Sequence, residues 1–154
     1  MAITIAPTVR STTLFVPELG PRKKDSALHY LVARAAAAGI VREPDAVQDA
    51  LALRERLGAT AIGKGVAIPN ARSLGIIEPQ LVFARSTRGI DWGAPDELPV
   101  HLVLLALSPA ETSLDAHLDF VARLAAATRL SRQRTRLLEA TDGDAVAALV
   151  RSAS

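Results

Sequence analysis

Few side chains in this chain can do chemistry. It has three histidines, His29, His101 and His117, and no cysteine, which excludes disulfides, thiolate catalysis and cysteine-ligated zinc. His117 has Leu114 three residues before it, Val121 four after and Leu124 seven after, a spacing that turns it to the inward face of a helix. An imidazole there is either a hydrogen-bonded core residue or part of a site. His101 opens an apolar run and His29 stands beside the inner stripe of a helix; neither has neighbours in sequence that point to catalysis. No two ligand-type residues stand at metal-ligand spacing, so no metal is expected. Arg54 follows Val47 by seven residues and Leu51 by three, on the edge of a stripe that should face the core. A charge there needs an anionic partner or a polar cleft. Otherwise its stem packs on apolar neighbours while its head complements the end of the helix dipole. Spacing leaves both open.

The stretch from Gly58 to Gly65, GATAIGKG, has the GxxxxGK spacing of a phosphate-binding loop. It fails as one, because Gly65 stands where Ser or Thr should bind magnesium. The order of elements is also reversed: a helix precedes the glycines and Val-Ala-Ile-Pro follows. That run ends in Pro69 and Asn70, and Asn70 is either an ordinary turn residue or the occupant of a functional position.

The elements that must carry these residues follow from hydrophobic period. Thr-Thr-Leu-Phe-Val at 12–16 suits a short strand. Leu28, Leu31, Val32 and Ala35 recur at helical spacing over 22–38, and Gly39 is placed to end that helix in a left-handed conformation. A second helix runs from about Pro44-Asp45 to Leu57, with Val47, Ala50 and Leu51 inward and Gly58 as its stop. Short apolar runs at 66–68, 81–84 and 100–107 favour strands. The last is apolar on both faces and should be central in its sheet. Helical patterns resume at 113–128, 131–140 and 143–151, with Ser131 and Asp142 as expected N-caps of the last two. Helices before and after a strand-rich middle predict an α/β sandwich, a mixed β-sheet flanked by helices on both sides.

At 154 residues the chain has the size of one ordinary domain; no repeat, linker or low-complexity tract divides it, and a single domain over 1–154 is expected. With 18 basic and 16 acidic side chains and 3% aromatics, it lacks the clustered charge and the stacking surface that nucleic-acid binding needs. The densest basic stretch, Arg129, Arg132, Arg134 and Arg136, reads as a solvated helix face. The start MAITIAPTVR is not a leader peptide and no run reaches the length of a membrane span, so a cytoplasmic protein without membrane insertion is expected.

The stretch from Arg54 to Pro69, RERLGATAIGKGVAIP, resembles the signature of the enzyme IIA domains of the bacterial phosphoenolpyruvate-dependent sugar phosphotransferase system. The likeness is to the fructose/mannitol class, which includes the nitrogen-regulatory enzyme IIA proteins. Gly89-Ile90-Asp91-Trp92-Gly93-Ala94 resembles that family's turn before its central strand, and His117-Leu118 with Leu124-Ala125 resembles its H-L-x-x-L-x-x-L-A helix. The resemblance covers about 12–150. It implies a domain that relays a phosphoryl group without a cofactor: a histidine after Ile-Pro takes the group from the phosphocarrier protein and passes it to enzyme IIB. By the same resemblance Arg54 matches the arginine near the phosphohistidine and His117 the second histidine close to it. Thr60 matches a hydroxyl of the G-S-T segment, and Gly63, Gly65 and Pro69 line the phosphate site.

Two positions depart from the pattern. Ala59 replaces a serine, and Asn70 stands where the resemblance places the phosphate-accepting histidine. Imidazole attacks phosphorus with a free lone pair, whereas a carboxamide nitrogen has its lone pair delocalised into the carbonyl. Asparagine does keep a short donor and acceptor. The leading reading is therefore an enzyme IIA-like regulatory or partner-binding protein that is not phosphorylated. The alternative is an active carrier, with Asn70 a variant of histidine or His117 taking the phosphoryl group. A third is a repurposed domain that binds a small anion near Arg54.

Overall fold

The computed structural model describes residues 13–153, so the N-terminal segment MAITIAPTVR and the first residue of the expected 12–16 strand lie outside the described residues. Among these, six strands and five helices follow one another. They are β1 (Leu14–Val16), α1 (Lys24–Ala37), α2 (Pro44–Arg56), β2 (Ala61–Gly63), β3 (Val66–Ala67), β4 (Asn70–Ser73), β5 (Gln80–Ile90), β6 (Val100–Pro109), α3 (Leu114–Ala127), α4 (Ser131–Glu139) and α5 (Gly143–Ser152). The strands form one mixed sheet in the order β1-β5-β6-β3-β2, and β4 also pairs with β6. β5 and β6 are antiparallel, β1 runs parallel to β5, and β3 and β4 both run parallel to β6.

β6 is central, as its two apolar faces require. Its odd residues Val103, Leu105 and Leu107 pack with α1 and α2 through Leu28, Leu31, Val47 and Leu51. Its even residues Leu102, Leu104 and Ala106 pack with Leu124, Leu137 and Val146 from the three later helices. Leu104 and Leu105 are fully buried, and each such side chain stabilises the fold by about 1.5–3 kcal/mol. The layers are tied by Arg85, whose guanidinium lies over the Phe15 ring and donates to the carbonyls of Leu138 and Ala140 at the end of α4.

Helix ends follow local chemistry. Gly39, at φ 78, closes α1 with its N–H donating to Ala36 O, the left-handed exit that glycine adopts without Cβ strain. Asp142 caps α5, accepting the Ala145 N–H at 2.8 Å. Ser131 is not the cap of α4: Leu130 is, because Gln133 reaches back from the first turn to accept the Leu130 N–H at 2.8 Å, and Ser131 becomes the first helical residue. The glycines of the GxxxxGK spacing make a β-hairpin. Gly63 pairs with Val66, and the two residues between them, Lys64 and Gly65, both have positive φ (58 and 78), as a tight two-residue hairpin turn requires.

Candidate functional site

The strand that carries Asn70 was not legible in the apolar pattern. Pro69 has no N–H to offer a ladder, so β3 stops at Ala67 and pairing with β6 resumes at Asn70, which opens β4 opposite Ala106. Asn70 is thus a strand residue and not part of a turn. Two residues on, Arg72 stands opposite Ser108, and alternate strand residues share a face. Asn70, Arg72, Ala106 and Ser108 therefore look towards α3. Ser113 starts that helix directly after β6, its hydroxyl accepting the Ala116 N–H at 3.1 Å, and one turn later His117 meets the sheet.

Three buried side chains then form a continuous row. Asn70 Nδ2 donates to Ile68 O at 3.0 Å, His117 Nε2 lies 2.9 Å from Asn70 Oδ1, and His117 Nδ1 lies 2.8 Å from Ser108 Oγ. Asn70, His117 and Ser108 are 7%, 4% and 1% exposed. The donors can be assigned from the row itself. A carbonyl only accepts, so the amide NH₂ faces Ile68 O and Oδ1 faces the ring. Nε2 must then carry the proton, and the Nδ1 lone pair accepts the Ser108 hydroxyl. The imidazole is held neutral, with its pKa below the usual value, first by burial and then by the positive charges of Arg72 and Arg54.

Both arginines are anchored by backbone. Arg54 Nη1 donates to Gly58 O at 2.8 Å, closing the end of α2, and Arg72 Nη1 donates to Thr112 O at 3.0 Å. Arg54 thus finds its partner in the helix terminus while its charge still reaches His117. Thr60 is buried with its hydroxyl bonded to the Glu55 carboxylate and accepting Trp92 Nε1–H at 3.2 Å, and Lys24 sits 3.5 Å from the same carboxylate. Pro69 is buried beside Asn70, and its carbonyl accepts the Ala106 N–H at 2.9 Å. Gly63 and Gly65 lie elsewhere, in the hairpin near the start of β6, where Gly65 O accepts the His101 N–H at 2.8 Å. His101, half-buried, and His29, exposed, are remote from this row.

Ser108 and Arg72 were missed by sequence reasoning. The available signals were slight: Ser108 is the first polar residue after the apolar run of β6, and Arg72 follows Asn70 at strand period. Among the described residues no group of three His, Asp or Glu side chains can hold a metal ion.

A mixed sheet covered on both faces, with a buried imidazole between a helix, the start of β4 and the carboxyl end of the parallel β6, defines an α/β protein of the enzyme IIA kind. The chain belongs to the family described as phosphoenolpyruvate-dependent sugar phosphotransferase system, EIIA 2, whose model matches residues 11–153. It is 36% identical over 140 residues to a fructose-specific EIIA component of the phosphotransferase system from Haloferax volcanii, covering 91% of this chain and 90% of that protein. It is 37% identical over 131 residues to a nitrogen regulatory protein of Bradyrhizobium diazoefficiens, covering 85% and 84%. Among solved structures, the nitrogen regulatory protein IIA-Ntr from Neisseria meningitidis superposes with a TM-score of 0.79 at 26% identity, over 88% of this chain and 92% of that one.

Proposed function

We propose that this protein is an enzyme IIA-like regulatory or partner-binding component of a phosphotransferase system that does not itself carry the phosphoryl group. The row Ser108–His117–Asn70 supports the reading. Phosphoryl transfer to imidazole needs a nitrogen lone pair directed at phosphorus. In His117 one nitrogen is protonated and donating to Asn70, and the other lone pair is occupied by the Ser108 hydroxyl. Asn70, at the position the family resemblance gives to the accepting histidine, has no nucleophilic nitrogen. The row closes the site as a neutral, hydrogen-bonded unit, so no change of charge is available there for a partner to read.

Partners of the family's kind, the phosphocarrier protein or an enzyme IIB-like or regulatory protein in the cytoplasm, would meet the surface over this row. Leu114 and Leu118 flank His117 on α3 and are 53% and 51% exposed, apolar area that a partner can cover. Of the relatives, nitrogen regulatory proteins favour a regulatory target, and a solved complex pairs enzyme IIA with phosphorylated enzyme IIB of the mannitol system from Escherichia coli.

The test is incubation with phosphoenolpyruvate, enzyme I and the phosphocarrier protein, read by intact mass. The mass of this chain should not change, whereas Asn70→His should gain one phosphoryl group. A phosphorylated species of the unaltered chain, at His117 or any other histidine, refutes the proposal.

A further inference from the structure

A second polar constellation lies away from Asn70 and His117, at the opposite end of β6. A cleft of about 670 Å³ opens there between the start of β6, the β2–β3 hairpin and α4, within the size range of small-molecule sites. His101, which lines it, precedes Ala106 by five residues, about 16 Å along a strand at ~3.3 Å per residue. From α4 the cleft takes Ser131, Arg134, Thr135 and Leu138, spaced i, i+3, i+4 and i+7 and therefore one face of the helix. The basic helix face read from the sequence as merely solvated is thus also the wall of a cleft.

Among the described residues no carboxylate lines this cleft. Lys64, from the hairpin turn, has an ammonium that makes no hydrogen bond or close ion pair among the described residues, although its backbone N–H is bound by Asp96 at 2.8 Å and its charge is felt by that carboxylate. Arg134 is held in place through Nη1, which donates to Thr128 O and Arg129 O at 2.9 Å each, and its Nε and Nη2 groups have no hydrogen-bond partner among the described residues. Nearby acids are occupied: Asp96 accepts two backbone N–H groups, and Glu18 accepts the Thr87 N–H at 3.0 Å.

Among these donors stands one acceptor. His101 Nδ1 lies 2.7 Å from Ser86 O, a carbonyl that can only accept, so Nδ1 carries a proton; in the neutral ring Nε2 then keeps its lone pair, with no hydrogen-bond partner among the described residues. The ring is clamped by two glycines: a Cβ at Gly89 would stand 3.1 Å from its Cε1, and one at Gly65 3.7 Å from its Cδ2. A Cβ at Gly89 would crowd the ring, whereas one at Gly65 would only touch it.

Of the three cations in the lining, Arg85 is engaged by the carbonyls of Leu138 and Ala140. Lys64 and Arg134, the Ser131 and Thr135 hydroxyls and the acceptor at His101 match a ligand that carries both an anionic group and hydroxyl donors. We propose that this cleft binds a small phosphorylated polyhydroxy compound of the sugar-phosphate class. Its phosphate meets Lys64 and Arg134, and a hydroxyl donates to His101 Nε2. This is independent of whether Asn70 or His117 is ever phosphorylated.

The test uses the ¹⁵N-labelled full chain titrated with glucose 6-phosphate, with glucose and inorganic phosphate as parallel arms. Amide resonances of Lys64, Gly65, Ser131 and Thr135 should move together with the His101 Nε2 resonance. Glucose 6-phosphate should bind about tenfold or more tightly than either arm, since charge-assisted and neutral hydrogen bonds are lost separately in the two controls. Lys64→Asn, which tolerates the left-handed backbone, and Thr135→Glu should each weaken binding by a similar factor while leaving the urea midpoint near that of the parent. Absence of shifts, shifts centred on Asn70 and His117, or equal affinity for inorganic phosphate would each overturn the proposal.

Discussion

His117 Nε2 and Asn70 Oδ1 stand 2.9 Å apart, joining a helix to a strand 47 residues away through two buried side chains. The contact determines which way both groups point. The Asn70 amide is oriented by Ile68 O, the ring by Asn70 on one side and Ser108 on the other. Removing any member leaves a buried polar atom unpaired, which is costlier than the bond itself is worth.

Ser108→Ala should therefore destabilise the fold by about 1–3 kcal/mol, because His117 Nδ1 loses its donor in a site that is closed to water. Urea denaturation measures this. A Ser108→Thr variant keeps the hydroxyl and should recover part of the loss; equal midpoints for Ser108→Ala and the parent would mean that the bond contributes nothing.

The depressed pKa of His117 makes stability depend on pH. The folded state disfavours the proton, so below the ordinary imidazole value of 6.5 the unfolded chain takes up a proton that the folded chain resists. Stability contributed by this residue is present above that pH and declines as the pH falls through it. Urea midpoints compared at pH 7.5 and 5.5 should show a drop that is smaller in His117→Gln, which isolates this histidine from the other two.

Arg72 ranks after burial among the causes of that depression. Arg72→Gln should shift the His117 titration, followed by NMR, towards higher pH. Its guanidinium is on an exposed residue and makes one bond, to Thr112 O, so the stability change should stay within about 0.5–1.5 kcal/mol, the net worth of one hydrogen bond. An unmoved titration curve would remove Arg72 from the electrostatics of the site.

Behind the site, Thr60 is the shared partner of Glu55 and Trp92. Thr60→Val preserves shape but leaves the indole N–H without an acceptor, and should cost about 1–3 kcal/mol. Trp92 is the chain's one tryptophan, so its emission reports the change directly. Thr60→Ser should keep the parent spectrum, and a valine variant with unchanged emission and stability would show the bond to be dispensable.

Local period was enough to read much of this architecture. The i, i+4 and i+7 spacing of His117, Val121 and Leu124 placed His117 on an inner face, and it is buried. The unbroken apolar run of β6 marked a strand covered on both sides, and Gly39 marked the end of α1. Leu114 was assigned to the same inner face, yet it is half exposed: it is the first residue of α3, where the helix has only begun to pack.

Other features came only with the tertiary structure, and for one physical reason. Whether Arg54 serves a helix end or an anion depends on where the chain goes after α2, and it turns so that Gly58 O meets the guanidinium. Asn70 gained its strand, and Ser108 its histidine, through the parallel register of β4 on β6. That register is set by long-range packing and not by any local period. The amino-acid types alone determined the family and the presence of an amide beside an inward histidine. The fold decided that the amide, the imidazole and the hydroxyl share their hydrogen atoms in one direction, which fixes the ring's tautomer and leaves it no lone pair to give.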